Sequence, residues 1–529
     1  MQGIANAIVV LWGWRRFAVA VIAGALSALA FAPFGLFPVL WLTVPVFIWL
    51  LDGADADEGA GFIRRLLPAA VVGFAFGLGF FVAGLWWIGA ALLVDPGFAW
   101  ALPIAVLALP AALALFWSLG AALARLAWID GWPRLVAFAV AMALAEWLRG
   151  HLFTGFPWNA FGYALTPLPV MMQSASLVGL WGLTLAAFFI FAMPVLLIEP
   201  GRGARVAIAV ALVLFGGNIA YGWWRLSGGP DPMVAGVTLR IVQPVIPQDE
   251  RWEVAKPDTI VGRYVTLSRN GAPALTGVTD LIWPESAFPF LLTDHPEALS
   301  AIADLLPRGT TLITGAARGE RVIGDDGGEL IYNSIYVIDD VGEIRAAYDK
   351  VHLVPFGEYV PFGGLLRHLG LRQLIALPGG FSAGESRRTL TTPDGSSFAP
   401  LICYEAIFPG DVVAPGARPS WMLNATNDAW YDGTPGPYQH LAEARLRAVE
   451  EGLPLVRAAN SGVSAVVDAH GRILAALPVD EIGTLDSGLP APLPATPYAR
   501  FGDWPFWGLM MVVLALLGVR KFTYSDGSL

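Results

Sequence analysis

Long apolar segments fill most of the first 226 residues, and a further one lies near the C-terminus. A bilayer hydrocarbon core of about 30 Å requires roughly 20 apolar residues in a helix. The pattern predicts eight transmembrane helices, at residues 17–33, 37–51, 67–93, 99–124, 134–150, 171–198, 205–226 and 504–520. We therefore expect an N-terminal bundle of seven spans (1–226) and, after a long polar stretch, a C-terminal transmembrane helix (504–520).

The distribution of Lys and Arg in the short loops predicts the orientation, because basic loops tend to stay in the cytoplasm. If the spans alternate, the main basic groups fall on one side: Arg15–Arg16, Arg64–Arg65, Arg125 with Arg134, Arg202 with Arg205, and Arg520–Lys521. The loops on the other side carry almost no basic residues, with Arg149 as the exception. Seven spans then place residues 227–500 outside the cytoplasm.

Between the seventh and eighth spans, short apolar runs alternate with helical stretches. Strands buried on both faces are predicted at 237–243, 280–283, 311–315, 333–339, 399–403 and 421–424. Helices are predicted near 253–270, 296–306 and 437–452. A hairpin turn at 340–343 is predicted between the 333–339 strand and the run that ends at Lys350. This alternation is typical of a layered α/β domain. We place the domain at 233–490, with linkers at 227–232 and 488–497.

Composition agrees with a chain that is part membrane and part water-soluble. Only 14% of the residues are charged and the mean hydropathy is +0.61, whereas a soluble protein carries about 25% charged residues. The net charge of −10 argues against a nucleic-acid partner, because phosphate binding needs clustered Lys and Arg. A lone cysteine cannot form an intrachain disulfide.

That cysteine, Cys403, ends the predicted strand at 399–403 and precedes a polar turn. Free cysteines are commonly small buried hydrophobic residues. A position at a strand end instead suits a nucleophile, and a free thiol in an oxidising compartment is a liability that packing alone does not require. Sequence alone leaves both interpretations open.

Glu285 and Lys350 are the other candidates for catalysis. Each lies at or near the end of a predicted strand, where the sites of α/β proteins gather. Either residue could simply be exposed. In the functional interpretation Glu285 is a general base whose pKa is raised by burial near Trp283 and Phe288, and Lys350 stabilises an oxyanion. A thiol, a carboxylate and an ammonium together can carry out acyl transfer through a thioester.

Other polar features admit simpler explanations. The stretch 424–433 is either a loop with Asx turns or a wall of the site. The six histidines are scattered without metal-ligand spacing, so we expect no metal or other cofactor. The glycines between Gly73 and Gly79 indicate close helix packing. Glu146 and Arg149, at a span end, are expected to extend towards the interface.

Longer motifs resemble a known family. The segments Trp-Pro-Glu285, Asp349-Lys-Val-His-Leu-Val-Pro-Phe-Gly-Glu-Tyr-Val-Pro361 and Ile402-Cys-Tyr-Glu405 resemble the Glu-Lys-Cys set of the nitrilase superfamily. Together with further segments, they resemble bacterial apolipoprotein N-acyltransferases over essentially the whole chain. The further segments are 424–430, Gln439–His440, Ala444–Arg447, Arg457–Asn460, Glu146–Arg149 and Gly155–Asn159.

The resemblance implies a multi-pass enzyme of the bacterial inner membrane with a periplasmic αββα nitrilase-like domain. It would take an acyl chain from a phospholipid, usually phosphatidylethanolamine, and pass it to the α-amine of the S-diacylglyceryl cysteine of an apolipoprotein. The enzyme would be surrounded by membrane lipid, and we expect it to be a monomer. The matched positions imply Cys403 as nucleophile, Glu285 as general base and Lys350 as oxyanion stabiliser. Further matches are a supporting carboxylate, two essential neighbours of the nucleophile and an aromatic residue at the substrate entrance: Glu358, Tyr404, Glu405 and Trp252.

Two other functions stay open on the sequence. A membrane-tethered amidase acting on a small amide or nitrile would share the Glu-Lys-Cys set but would not need eight spans. The second open function is that of a transporter or sensor with an extracytoplasmic domain. Few ionisable residues lie within the spans, which counts against a transporter because ion pathways usually contain such residues.

Overall fold

The computed structural model describes residues 1–56, 59, 61–247, 257–270, 275–321, 329–361, 373–374 and 380–525, with the backbone alone at 257–258 and 516–525. The chain divides into two compact units. The first comprises Met1–Gly89, Trp100–Gly229 and Ala495–Leu529, and the second comprises Ala90–Ala99 and Pro230–Pro494.

The first unit is a bundle of helices. In chain order they are α1 (Gln2–Val9), α2 (Gly13–Ser27), α3 (Leu40–Asp52), α4 (Phe62–Leu85), α5 (Leu102–Leu126), α6 (Trp132–His151), α7 (Pro169–Met172), α8 (Ala175–Ala192) and α9 (Arg202–Leu226). Within the described residues, six helical segments are long and apolar enough to cross a membrane: Gly13–Ala30, Phe62–Leu93, Pro96–Leu126, Trp132–Thr154, Ala175–Ile198 and Arg202–Leu226.

The second predicted span corresponds to a shorter apolar helix, Phe37–Asp52, and the eighth lies in a C-terminal helix, Trp504–Ser525, whose described side chains end at Ala515. The predicted count of eight is therefore approximate. Pro38 lies in the first turn of Phe37–Asp52 and Gly53 follows its last residue. Both residue types interrupt helices, which limits the length of this one.

Glycines bring the backbones of the bundle together, as the sequence predicts. A Cβ atom added at Gly79 would overlap the carbonyl oxygen of Val21, and one at Gly73 would lie 2.5 Å from that of Trp117. The glycines therefore let α4 pack directly against α2 and α5.

The expectation that Glu146 and Arg149 extend towards the interface is wrong. Both side chains are fully buried and form an ion pair of 2.8 Å. Glu146 also accepts hydrogen bonds from Trp117 Nε1 (2.7 Å) and the backbone N–H of Phe161 (3.0 Å). Arg149 donates to the carbonyl oxygens of Phe156 and Trp158. Because every charge here has partners, the pair remains inside the bundle and holds the 156–161 loop.

The second unit contains two six-stranded sheets. The strands are β1 (Met233–Gln243), β2 (Asp280–Trp283), β3 (Thr311–Arg321), β4 (Glu329–Ile338), β5 (Ile344–Asp349), β6 (Leu390–Thr391), β7 (Ser397–Ile402), β8 (Trp421–Thr426), β9 (Leu455–Ala459), β10 (Ser464–Val467), β11 (Ile473–Leu477) and β12 (Gly483–Pro490). The first sheet has the order β12-β1-β2-β3-β4-β5 and the second β11-β10-β9-β8-β7-β6. In each sheet the central pairs are parallel: β1–β2–β3 and β7–β8–β9.

Three hydrophobic clusters show that the sheets and helices form αββα layers. The first sheet packs its outer face on helices α10 (Pro257–Arg269) and α11 (Pro296–Leu305). The two sheets pack face to face through residues such as Ile282 and Ile402. Helix α12 (Gly436–Glu451) packs against the outer face of the second sheet. The predicted α/β sandwich is confirmed.

One predicted boundary is wrong. The linker expected at 488–497 begins inside β12, where Gly488 pairs with Thr238 of β1. The composition of this segment is typical of a linker, but its partner strand lies about 250 residues earlier in the chain, beyond the reach of local pattern. After β12 the chain continues into α13 (Pro497–Phe501) and α14 (Trp504–Ser525) of the first unit.

Candidate active site

The folding of the second unit brings Glu285, Lys350 and Cys403 together. Glu285 follows β2, Lys350 follows β5 and Cys403 follows β7, so each residue lies just beyond the C-terminal end of a strand. Lys350 Nζ lies 3.8 Å from Glu285 Oε1. Both charged groups are close enough to the Cys403 thiol to influence its pKa.

Glu285 lies in a sharp turn that a glycine on the neighbouring strand makes possible. A Cβ atom at Gly315 would lie 2.5 Å from the Cα of Glu285 and 2.7 Å from the carbonyl oxygen of Pro284. The carboxylate accepts hydrogen bonds from Asn333 Nδ2 and the backbone N–H of Asn427, both at 2.7 Å. Burial nevertheless raises the pKa of Glu285, because the favourable charge of Lys350 and these hydrogen bonds offset it only in part.

Lys350 is held between two carboxylates. Its Nζ lies 2.9 Å from Glu358 Oε2 and its side chain is 1% exposed. Burial disfavours the ammonium, but the carboxylates of Glu358 and Glu285 outweigh it and raise the pKa of Lys350. Glu358 is fixed by the backbone N–H of Val354 at 2.8 Å. Lys350 is therefore a permanent cation at neutral pH.

Cys403 has a left-handed backbone conformation, with φ of 50°, which is uncommon for a residue other than glycine. The residue as a whole is half-buried. Burial by the surrounding protein, followed by the charge of Glu285, raises the pKa of Cys403, and Lys350 counteracts this increase. The thiol is therefore neutral at rest, beside a group that can accept its proton.

Glu405 ties the cysteine turn to the lysine turn. Its Oε2 accepts a hydrogen bond from the backbone N–H of Ile402 at 2.9 Å. Its Oε1 accepts from the N–H groups of Val351 (2.9 Å) and His352 (3.1 Å), and Arg387 Nη1 lies 3.3 Å away. One buried carboxylate thus fixes the distance between the segments that carry Lys350 and Cys403.

Tyr404, next to the cysteine, is buried in an aromatic cluster. Its ring meets those of His352 and Phe408 edge-on, at centroid distances of 5.6 and 5.0 Å. The side chain thereby packs the turn after Cys403 against the segment that follows Lys350. Trp252 lies outside the described residues.

Sequence reasoning missed Asn333. Its Nδ2 donates to Glu285 Oε1 at 2.7 Å and to Glu358 Oε1 at 2.9 Å, and the residue is buried. A single amide thus bridges the two carboxylates that flank Lys350. The available signal was an amide side chain at the start of a strand predicted to be buried on both faces.

The stretch 424–433 lines the site and also contains an Asx turn. Besides the bond from Asn427 to Glu285, the side chain of Asn427 accepts from Ala429 N at 3.4 Å. Cys403, Asp428 and His440 offer possible ligand atoms within 4.8 Å of one another. Arg457 Nη2, however, lies 2.6 Å from Asp428 Oδ2, so the charge of that carboxylate is already balanced by a guanidinium.

Two family models match this chain, one largely in the first unit and one in the second. Residues 23–193 match the family "Apolipoprotein N-acyltransferase N-terminal domain", and residues 246–492 match "Carbon-nitrogen hydrolase". Among solved structures, an amidase of the nitrilase superfamily from Nesterenkonia has a TM-score of 0.36 and 22% identity, covering 50% of this chain and 94% of its own.

Curated relatives match along the whole length. Apolipoprotein N-acyltransferases from Rhodopseudomonas palustris and Bradyrhizobium diazoefficiens are 50% and 51% identical, each with 98% of both chains covered. The corresponding protein of Brucella suis is 50% identical, covering 99% of this chain and 98% of its own. The resemblance seen in the sequence motifs is thereby confirmed, and the chain belongs to the apolipoprotein N-acyltransferase family.

Proposed function

We propose that this membrane protein transfers a fatty acyl chain from a phospholipid to the α-amine of the S-diacylglyceryl cysteine of apolipoproteins, the last step of lipoprotein maturation. One observation carries the proposal at the level of chemistry. A neutral thiol lies beside a buried carboxylate and a buried ammonium, each at a strand end. The names of the full-length relatives supply the substrate class.

In the first half-reaction Glu285 accepts the proton of Cys403 as the sulfur attacks the ester carbonyl carbon of the phospholipid. Protonation of Glu285 removes the anion that disfavours the thiolate, while the cation of Lys350 continues to favour it. Lys350 and a backbone N–H stabilise the tetrahedral oxyanion. The intermediate then expels the lysophospholipid oxygen, which takes the proton back from Glu285, and an acyl thioester remains on Cys403.

In the second half-reaction the neutral α-amine of the acceptor attacks the thioester carbonyl. Glu285 takes a proton from the nitrogen, and the Cys403 sulfur leaves and is protonated again. The product is an amide, and the enzyme returns to its starting state. Water must be kept from the thioester in the interval, because hydrolysis would turn the enzyme into a phospholipase.

Glu358 and Glu405 act through other groups in this scheme. Glu358 keeps Lys350 charged and directed at the site, since it provides the nearest carboxylate oxygen. Glu405 keeps the lysine and cysteine segments in register. Tyr404 packs the turn after the nucleophile, and Trp252 is proposed to meet the substrate at the entrance.

We also propose that the protein lies in the bacterial inner membrane as a monomer, with its catalytic unit on the periplasmic side. The basic loops support this orientation, because they fall on one side of the alternating spans. The donor is proposed to be phosphatidylethanolamine. The acceptor is a diacylglyceryl apolipoprotein from the same membrane.

A single labelling experiment tests the function. Purified protein is incubated with phosphatidylethanolamine carrying a labelled acyl chain, and peptide mass spectrometry locates the added mass. We expect one acyl group on Cys403, release of lysophospholipid, and transfer of the label to a synthetic S-diacylglyceryl cysteine peptide. The Cys403→Ser variant should yield no thioester. Turnover of a small amide without acylation would instead indicate an amidase, and the absence of both reactions would indicate a sensor or transporter.

A further inference from the structure

The carbonyl group of Cys403 is held from two sides by buried side chains that the reaction scheme does not use. His440 Nε2 lies 3.0 Å from this oxygen and Asn424 Nδ2 lies 3.3 Å from it. His440 is 3% exposed and Asn424 is 0% exposed. A carbonyl oxygen only accepts hydrogen bonds, so the Nε2 atom of His440 carries a hydrogen and donates it.

A second set of contacts fixes His440 itself. With its hydrogen on Nε2, the neutral ring presents Nδ1 as an acceptor to Arg457 Nη2 at 3.1 Å. Asp428, whose Oδ1 lies 3.0 Å from the same ring nitrogen, is bound by Arg457 Nη2 at 2.6 Å and by Thr426 Oγ1 at 3.0 Å. Arg457 also donates to Asn424 Oδ1. One buried guanidinium thus braces both side chains that reach the Cys403 carbonyl.

The contacts of His440 and Asn424 act on the Cys403–Tyr404 peptide, whose orientation is critical for acyl transfer. Since the peptide bond is planar and trans, its N–H points away from its C=O. The Cys403 oxygen is held towards His440, and the Tyr404 N–H of the same peptide is therefore fixed in the opposite direction, away from His440. Without support, the left-handed conformation at Cys403, with φ of 50°, is unfavourable for a residue other than glycine.

We propose that His440 and Asn424 are positioning residues that lock the Cys403–Tyr404 peptide so that the Tyr404 N–H is presented to the oxyanion of the acyl-transfer step. This inference rests on the proposed acyl transfer. It identifies the backbone N–H of that reaction scheme as the N–H of Tyr404. It also assigns a positioning function to the Asp428–His440–Arg457 network. The network acts on the backbone of the nucleophile and leaves the proton of the thiol to Glu285.

Two reactions of the same thiol separate this task from a general structural one. Acylation by phospholipid passes through an oxyanion, whereas alkylation by iodoacetamide displaces iodide from carbon and forms none. The test compares both rates in His440→Gln and His440→Met, two side chains of similar length of which only glutamine can donate to the Cys403 oxygen. Tyr438→Ala, an exposed position on the same helix, serves as the control.

We expect His440→Met to lower the single-turnover acylation rate at least about tenfold, since loss of one oxyanion donor costs about 10²- to 10³-fold and misdirection costs part of that. Alkylation should change less than threefold, His440→Gln should recover most of the acylation rate, and Tyr438→Ala should match the wild type. Equal losses in the two reactions, or equal rates for Gln and Met, would overturn the proposal.

Asn424→Asp provides a second test if the His440 variants do not fold. It keeps an oxygen for Arg457 but replaces the Nδ2 donor with an acceptor beside the same carbonyl. The proposal expects acylation to fall more than alkylation, and an unchanged ratio of the two rates would overturn it. Failure of the wild-type protein to acylate would count against the proposed function itself, so the two failures are distinguishable.

Discussion

Removal of the Asn333 amide should move the pH dependence of acylation. In the Asn333→Leu variant, the side chain keeps its approximate volume but loses the Nδ2 donor that lies 2.7 Å from Glu285 and 2.9 Å from Glu358. The backbone bond from Lys350 N to Asn333 O remains. Burial raises the pKa of Glu285, and the Asn333 amide opposes that increase. Its loss therefore raises the pKa further.

The size of the shift follows from the energy of one charged hydrogen bond. Such a bond contributes about 1.5–3 kcal/mol, and one pKa unit corresponds to about 1.4 kcal/mol. The neutral carboxyl group would also accept from this amide, so only part of the energy distinguishes the two protonation states. We therefore expect the acid limb of the acylation rate to move up by about one pH unit.

The measurement is the single-turnover rate of thioester formation as a function of pH, with labelled phospholipid in excess. Ser334→Ala is the matched control, because Ser334 is the next residue of β4 and also donates a hydrogen bond, partly buried, to a carboxylate, Asp349, at 2.6 Å. An unmoved acid limb in Asn333→Leu would refute the role of Asn333 in the ionisation of Glu285. A shift of the same size in Ser334→Ala would attribute the effect to general loosening of the strand.

Three further outcomes are expected. Glu358→Gln removes the nearest carboxylate of Lys350, so the pKa of Lys350 should fall and the alkaline limb of the acylation rate should move to lower pH; an unmoved limb would contradict this. Burial raises the pKa of Glu451 to about 7. The preference of the folded state for the protonated carboxyl group therefore contributes its full stability below about pH 4.5, and that stability is lost as the pH rises through 7. Glu451→Gln should therefore stabilise the protein by up to about 3 kcal/mol at pH 8 and little at pH 4.5, and a thermal-unfolding midpoint equally affected at both would contradict the assignment. Arg149→Met leaves Glu146 buried without its cation, which should cost about 3–5 kcal/mol and lower the unfolding midpoint in detergent, and a change no larger than that of the exposed Leu107→Ala would contradict it.

Local pattern was sufficient to place the candidate triad at or near the ends of strands. Strand β2 was predicted with the bounds that the structure has, Asp280–Trp283. Strands with continuous apolar runs are buried on both faces, so the change to polar residues marks the point where each strand leaves the core. Glu285 comes two residues after such a strand, Cys403 comes directly after another, and Lys350 comes directly after β5. Their roles in catalysis remain predictions.

Local pattern failed where a side chain depends on partners far along the chain. Asn333 appeared as one polar residue in a strand, yet it contacts a carboxylate 48 residues earlier. Arg149 appeared suited to the membrane interface, but the carbonyl groups of a later loop receive it inside the bundle. The last residues of strand β12, Gly488–Pro490, were assigned to a linker because their partner strand, β1, lies at the other end of the domain.

The sequence by itself determined the membrane segments, the α/β class of the second unit and the candidates Glu285, Lys350 and Cys403, because hydrophobic periodicity and motif spacing are local properties of the chain. Only the tertiary structure decided which charges are buried, which hydrogen bonds satisfy them, and how Asn333, Glu405 and His440 support the site. The free energy of a buried polar group depends on its partners, and those partners become neighbours only when the two sheets pack together.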